Sequence, residues 1–187
     1  MDIKNLENIR ESFGRVVYTH KTHEKNCEIC HKKATFIKII NIVLISITSG
    51  TLLTTYFTND TSFTKISAII STILLAFSIF QISFNPEREA EQHKRTALSL
   101  WKIREEYINL MIDILNPDVP KNKIIRKRNS LLRRLNQIYQ SAPPTSPKAY
   151  QKAQEALKVK EEMTFSEEEI DIFLPEELKI KNIRRSN

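Results

Sequence analysis

The side chains with the greatest capacity for chemistry form a string of twelve residues ahead of the first long apolar segment. The string contains His20, His23, Cys27, Cys30 and His31. Imidazole and thiolate are ligands that zinc prefers, and Cys-x-x-Cys-His is also the pattern that attaches haem. On a single helix, however, these residues spread along about 16 Å, whereas the ligands of a zinc ion lie within about 2.3 Å of it. The spacing therefore argues against both kinds of site.

We expect no metal ion and no other cofactor, and we interpret the string as a mildly polar helix face with two reduced thiols. A straight helix offers only two ligands, at i and i+3 or i+4. The alternative is a zinc site shared between subunits that uses His20, His23, Cys27 and Cys30. Covalent haem attachment would also require this segment to lie on the oxidising side of a membrane.

Polar side chains recur at helical spacing inside two long apolar segments. Four in the first segment, and four in the second, fall within about 80° of one another on a helical wheel. Hydroxyls can bond back to their own helix, but the amides of Asn41 and Gln81 cannot be satisfied in that way. Since two helices cannot enclose a water channel, the set predicts contacts between helices or the lining of a pore built from several copies. It consists of Asn41, Thr48, Thr51, Thr55, Ser67, Ser71, Ser78 and Gln81.

A third set is strongly basic, because residues 121–134 contain seven lysines and arginines and no acid. Such a helix can present a solvated face or contact anionic lipid headgroups at about 1 kcal/mol per residue. Alternatively it can bind a phosphorylated ligand, since arginine pairs bidentately with phosphate. No aromatic residues interleave the charges, so we expect no direct nucleic-acid binding. The predicted ligand or lipid contacts are Arg126, Lys127, Arg128, Arg133 and Arg134.

The composition gives no support for catalysis. The only glycines are Gly14 and Gly50, which excludes a glycine-rich phosphate loop or a dinucleotide fingerprint. No serine or histidine lies in a recognisable nucleophile motif. The acidic cluster 167–169 is typical of the charge found at the start of a helix. We therefore expect that the protein is not an enzyme.

Two uncharged apolar segments, 39–57 and 66–84, must position the polar stripes. Each has 19 residues, so as a helix each is about 28 Å long, close to the hydrocarbon thickness of a bilayer. The short link 58–65 predicts an antiparallel transmembrane hairpin over 39–85. A buried hairpin of a soluble domain is the alternative, but the charged remainder of the chain could hardly cover it.

The charges predict the orientation of this hairpin. Residues 1–38 hold eight basic and five acidic groups, residues 86–140 hold twelve and seven, and the link has one of each sign. Loops rich in lysine and arginine stay in the cytoplasm, so both termini should be cytoplasmic and the link external. The first 30 residues are charged throughout, and we expect no cleavable signal peptide there.

The remaining segments predict an all-α fold, since glycine turns between alternating runs are missing. We divide the chain into an N-terminal helix 1–38 that continues into the first span, the hairpin, cytoplasmic helices 86–140 and a helical tail 141–187. Helix starts are signalled by Asn85-Pro86, Ser146-Pro147 and the capping box Ser166-Glu-Glu-Glu169. Two of the predicted helices span residues 121–140 and 147–163. The N-terminal helix and the C-terminal helices should form a cytoplasmic bundle.

Several of these pieces together resemble one family. Arg-Val-Val-Tyr-Thr-His-Lys (15–21) leads into the two spans, and Glu-Gln-His-Lys-Arg-Thr-Ala (91–97) follows them, with Trp101 and Tyr107 further on. The tail adds Tyr-Gln-Ser-Ala-Pro-Pro-Thr-Ser-Pro (139–147). This pattern is similar to the SLATT domains, two-transmembrane effectors of bacterial anti-phage conflict systems, and it extends over roughly residues 5–180.

The resemblance implies a function. SLATT effectors are thought to oligomerise and to form pores or disrupt the inner membrane when a nucleotide second messenger or a partner sensor triggers them. We therefore expect an abortive-infection effector in the bacterial inner membrane, with the lipid bilayer and further copies of the chain as partners. The alternatives are a membrane-anchored scaffold that recruits a protein partner, and a holin-like lysis protein.

Overall fold

A computed structural model describes residues 3–58 and 61–180, and this part of the chain is helical with no strand. The all-α prediction is thus confirmed there. Asn59 and Asp60 of the predicted link, and the basic tail from 181 onward, lie outside the described residues. The elements are α1 (Ile3–Thr58), α2 (Thr61–Ser83), α3 (Pro86–Leu115), α4 (Lys121–Ser141), α5 (Pro147–Lys158), α6 (Glu167–Ile172) and a short 3₁₀ helix (Glu176–Leu178).

Helix α1 is continuous from the charged N-terminal segment to the end of the first apolar segment. It has 56 residues and no proline, so it is about 84 Å long. Its last third is apolar and pairs with α2, while its first two thirds pack along α3 and α5. One element therefore links the bundle rigidly to the hairpin.

The helix starts follow the sequence signals. Asn85 accepts a 3.0 Å hydrogen bond from the amide of Arg88, with Pro86 as the first helical residue. Ser146 caps α5 through the amide of Ala149 at 3.2 Å. The capping box of α6 is present, since Ser166 and Glu169 each accept the other's backbone amide hydrogen. These side chains satisfy amides that have no partner inside the helix.

Helix α5 is shorter than the sequence predicts, because it ends at Lys158 and not at residue 163. The carbonyl of Glu155 accepts from the amides of Val159 and Lys160, and the carbonyl of Ala156 accepts from Glu162. These bonds close the helix without a glycine. The chain then turns with a positive φ of 50° at Glu161.

The core of the bundle lies where α1, α3 and α4 meet. Ile9 and Val16 of α1 pack against the α3 side chains Leu100 and Ile103, and Leu131 of α4 completes the cluster. All five are buried. The face of α1 that carries Ile9 and Val16 is therefore the face that contacts α3.

Helix α5 reaches the bundle through small side chains. Ala149, Ala153 and Ala156 are buried at i, i+4 and i+7, the spacing of one helical face. Alanine allows the helix backbones to approach closely, and α5 packs on α1 along this face.

The hairpin of α1 and α2 exposes its apolar side chains. Both helices are long and apolar enough to cross a membrane, and no residue in the most apolar stretch of α1 is buried. Ile42, Leu53, Ile69 and Leu75 are all at least 60% exposed. The described part of the chain therefore supplies no covering layer, which argues against the hairpin as the core of a soluble domain.

Candidate functional site

A layer of buried polar side chains lies between the middle of α1 and the first half of α3. Buried polar groups are costly unless they are paired, so a whole layer of them is a candidate site. Two of its members, Asn26 and Thr22, are bonded locally, because the amide of Asn26 donates to the carbonyl of Thr22 at 3.3 Å. The layer consists of His20, Lys21, Thr22, His23, Asn26, His93 and Thr96.

Two histidines of this layer contact each other across the α1–α3 interface. The Nδ1 atoms of His23 and His93 are 2.8 Å apart, and both rings are almost fully buried. Only one of the two Nδ1 atoms can carry the hydrogen in this bond. Burial, assisted by the nearby His93 and His20, lowers the pKa of His23 to about 4. Burial also lowers the pKa of His93, so both imidazoles are neutral at physiological pH.

His93 also belongs to a cluster of three metal-ligand types. One ligand atom each from Cys30, Glu89 and His93 lie within 4.8 Å of one another. Cys30 and His93 are buried, while Glu89 is exposed. His93 Nε2 has no hydrogen-bond partner among the described residues. Burial and the neighbouring Glu89 carboxylate raise the pKa of the Cys30 thiol, which keeps it protonated when no cation is bound.

This cluster differs from the shared zinc site considered from the sequence. Of His20, His23, Cys27 and Cys30, only Cys30 belongs to it. Its other two members come from α3, where Glu89 and His93 are separated by four residues and share a face. That i, i+4 pair was the only available sequence signal, and the pairing of α1 with α3 decides which cysteine it meets.

An open groove of about 930 Å³ lies beside the polar layer. Its basic lining includes Lys21, Lys25 and Arg104, with the half-exposed ring of Trp101 between α1 and α3. The turn after α5 brings Glu162 into it, 2.7 Å from the Lys21 ammonium and 3.5 Å from that of Lys25. Burial opposes the charge of Lys21, but its bonds to Glu162 and Glu24 outweigh this and raise its pKa.

The arrangement of a two-helix apolar hairpin on a helical bundle agrees with one family. The family model of the SMODS and SLOG-associating 2TM effector domain, family 4, matches residues 6–169. The chain belongs to this family. The resemblance to SLATT domains is thus confirmed, and with two candidate spans the SLATT chain is a membrane protein. No curated protein and no solved structure matches it.

The polar stripes of the SLATT hairpin lie partly between its two helices. The amide of Asn41 donates to Gln81 Oε1 at 3.0 Å, and the hydroxyls of Thr51 and Ser67 are hydrogen-bonded to each other. Near the tip, Thr64 donates to the Thr55 hydroxyl at 3.4 Å. These bonds join α1 to α2 within one chain.

The rest of the predicted stripe has a different position. Ser71 and Ser78 are exposed on α2, with the Ser78 hydroxyl bonded back to the carbonyl of Leu74 at 2.8 Å. Thr48 is half-buried and also bonds back, to Leu44. Asn41 Oδ1 and Gln81 Nε2 are buried with no partner among the described residues. The hairpin therefore keeps polar groups that a single copy does not satisfy.

The basic residues of α4 divide into two groups. Lys127 pairs with Asp113, and Arg134 makes a bidentate pair with Glu106 at 2.5 and 2.7 Å, so these two cations hold α4 on α3. Arg128 lies beside Asn129 of its own helix, and Arg126 and Arg133 are exposed.

Proposed function

We propose that this SLATT domain is an abortive-infection effector that oligomerises in the bacterial inner membrane and opens it when triggered. The observation that carries the proposal is the exposed apolar hairpin with exposed hydroxyls at Ser71 and Ser78 on α2. One hairpin cannot enclose water, so a conducting pathway requires several copies with these hydroxyls turned inward. The effector acts through the membrane and not through catalysis.

The charge distribution supports the orientation of this effector. The segments before and after the hairpin are rich in lysine and arginine, whereas residues 58–65 between the two apolar segments have one charge of each sign. Cytoplasmic loops carry the excess of basic residues, so the bundle lies in the cytoplasm, where a signal from infection arises.

The bundle offers a place for the trigger. The exposed arginines of α4 lie far from the hairpin. Lys127, next to Arg126, pairs with Asp113, 27 residues along α3 from Pro86, and Arg134, next to Arg133, pairs with Glu106, 20 residues along it. These separations are about 40 and 30 Å of helix, beyond the headgroup layer, because α3 packs along the N-terminal part of α1. Arg126 and Arg133 are thus better placed for a soluble phosphorylated signal or an acidic sensor surface than for lipid.

Induced expression in bacteria with a membrane-potential dye tests the effector function. Native protein at high level should depolarise cells within minutes, because mass action drives assembly, and a chain with both spans scrambled should not. Ser71→Leu with Ser78→Leu should insert normally and abolish depolarisation. The matched control is Ile69→Leu with Ile73→Leu, at exposed positions on the opposite face of α2, which should keep it.

The main alternative is a membrane-anchored scaffold without conductance. It predicts that the native chain is harmless when its presence in the membrane is verified, and that partner binding survives scrambled spans. Depolarisation that is equal in the native and the serine-substituted chain would remove the proposed lining but keep the effector. Absence of depolarisation at every expression level would favour the scaffold.

A further inference from the structure

We propose that Cys30, Glu89 and His93 bind a zinc-class divalent cation that joins α1 to α3 just outside the membrane hairpin. One ligand atom from each of the three residues lies within 4.8 Å of the others. The atoms would be Cys30 Sγ, one Glu89 carboxylate oxygen and His93 Nε2, the ring nitrogen that is 3.9 Å from Glu89. This site is independent of whether the SLATT hairpin conducts.

The geometry is close to that of an occupied site. Metal–ligand distances of about 2.0 to 2.3 Å in a tetrahedron place the ligand atoms roughly 3.3 to 3.8 Å apart. The three atoms therefore need to approach by at most about 1.5 Å from their present separation. Glu89 can supply most of that movement, because its side chain is 52% exposed.

His93 gives a second observation that points to a ligand. Its ring is fully buried, yet Nε2 has no hydrogen-bond partner among the described residues, and its nearest carboxylate oxygen, on Glu89, is 3.9 Å away. A buried nitrogen without a partner destabilises the fold, because it has given up its hydrogen bond to water. A cation at the centre of the cluster would satisfy it.

His23 contacts His93 at Nδ1, the ring nitrogen that does not face the proposed cation. Ligand histidines almost always donate their other ring N–H to an acceptor, which fixes the tautomer. His93 can do so through Nδ1, which is 2.8 Å from the Nδ1 of His23. That tautomer leaves the lone pair of His93 Nε2 facing the cluster. His23 is thus a positioning residue and not a ligand.

The ligand types select the class of cation. A thiolate and an imidazole favour zinc and similar transition metals over magnesium or calcium, which prefer oxygen ligands. Binding replaces the thiol proton, which leaves to solvent. The thiolate and the carboxylate then balance the two charges of the cation, as a largely buried position requires.

The position of the site gives it a structural consequence. Cys30 lies nine residues before the apolar segment of α1, and Glu89 and His93 lie in the first two turns of α3 after the hairpin. A bound cation would fix the helix that enters the membrane against the helix that leaves it. Its fourth position would open toward the exposed side of Glu89, where water or a further ligand can bind.

The test uses the full chain purified in detergent and stripped of metal. We expect it to take up one zinc per chain, and cobalt to give the visible bands of a tetrahedral site together with a thiolate-to-cobalt charge-transfer band. Cys30→Ser, Glu89→Gln and His93→Gln should each weaken zinc binding more than about 100-fold, beyond the usual effect of an outer-shell change. Cys27→Ser, Glu91→Gln and His31→Gln are the matched controls and should bind as the native chain does.

His23 is tested separately as the positioning residue. His23→Phe should weaken zinc binding about 10- to 100-fold while the charge-transfer band of bound cobalt remains. His23→Gln, whose amide oxygen can accept the same hydrogen bond, should restore much of the affinity. A merely structural role would not distinguish these two variants.

Two results would overturn the proposal. One is a native chain that binds no zinc at micromolar concentration and gives no charge-transfer band with cobalt, a measurement that needs no variant to fold. The other is Cys30→Ser protein that keeps native helicity by circular dichroism and binds zinc as tightly as the Cys27→Ser control.

Discussion

The amide pair Asn41 and Gln81 joins the two spans of the SLATT hairpin at 3.0 Å, at the end nearest the bundle. Replacing either residue with leucine should destabilise the hairpin, since the remaining amide loses its partner in an apolar surrounding. The double variant should be less destabilised than the sum of the two. We expect a coupling of about 0.6 kcal/mol and at most about 1.7, the range of interhelical bonds in membranes.

Steric trapping in bilayers measures the unfolding free energies for this cycle. Thr72→Leu provides the control, because the Thr72 hydroxyl is exposed and bonds to Ala68 of its own helix at 2.9 Å. It should show no coupling with Asn41→Leu. Additive effects of Asn41→Leu and Gln81→Leu would contradict the role of this bond.

The sequence was enough to predict which polar residues share a helix face, but not which residues of another helix they contact. Helical spacing placed Ser71 and Ser78 with Ser67 on one face, yet only Ser67 is buried in the hairpin. The difference arises because a stripe about 80° wide has two edges, and the crossing of two helices decides which edge is covered. Glu89 and His93 were missed for a similar reason, since their contact with Cys30 depends on the register of α3 against α1.

At the scale of the elements, helix starts could be predicted better than helix ends. The side-chain oxygens of Asn85, Ser146 and Ser166 accept hydrogen bonds from backbone amides three residues further on. These caps depend only on neighbouring residues in the sequence. The end of α5 has no such marker. Its carbonyls are satisfied by amides of the following turn, and that turn is held by the ion pair of Glu162 with Lys21, a long-range contact.

The docking of α4 on α3 should depend on pH through Glu106. Two hydrogen bonds from the Arg134 guanidinium lower the pKa of Glu106 against the opposing effect of burial, and the charge of Lys102 acts in the same direction as Arg134. The stabilisation is therefore fully present above the ordinary glutamate pKa of about 4.3 and is lost as the pH falls through the lowered value. Glu106→Gln should lower the melting temperature at neutral pH, and the difference from the native chain should vanish in acid.

Arginine variants provide the control for this pH dependence. Arg134→Gln should reproduce the profile of Glu106→Gln, because either change removes the pair. Arg133→Gln should keep the native profile, since Arg133 is the exposed neighbour on α4. The measurement is thermal unfolding at a series of pH values. A difference in melting temperature between Glu106→Gln and the native chain that stays the same at every pH would contradict the prediction.

For the whole molecule, the sequence sufficed to predict one long helix, an apolar hairpin and amphipathic helices, because these depend on length and periodicity. It also predicted that the N-terminal helix would join the bundle, but not that Ile9 and Val16 would share one cluster with Leu131 of α4. Because of this packing, residues 86–187 lose two of the eight buried residues of this cluster when they are separated from α1. Any study of the bundle therefore needs the full SLATT chain.

The orientation of the molecule in the membrane is testable by cysteine labelling. If both termini are cytoplasmic, Ser62→Cys at the start of α2 should react with a membrane-impermeant maleimide in intact spheroplasts, because Ser62 is exposed beside the external link. Ser141→Cys at the end of α4 is equally exposed and should react only after lysis. Cys27 and Cys30 are at least half-buried in the bundle and should give a low background on the cytoplasmic side. Labelling of Ser141→Cys but not Ser62→Cys before lysis would place the basic bundle outside the cell, and a cytoplasmic trigger would then be physically impossible.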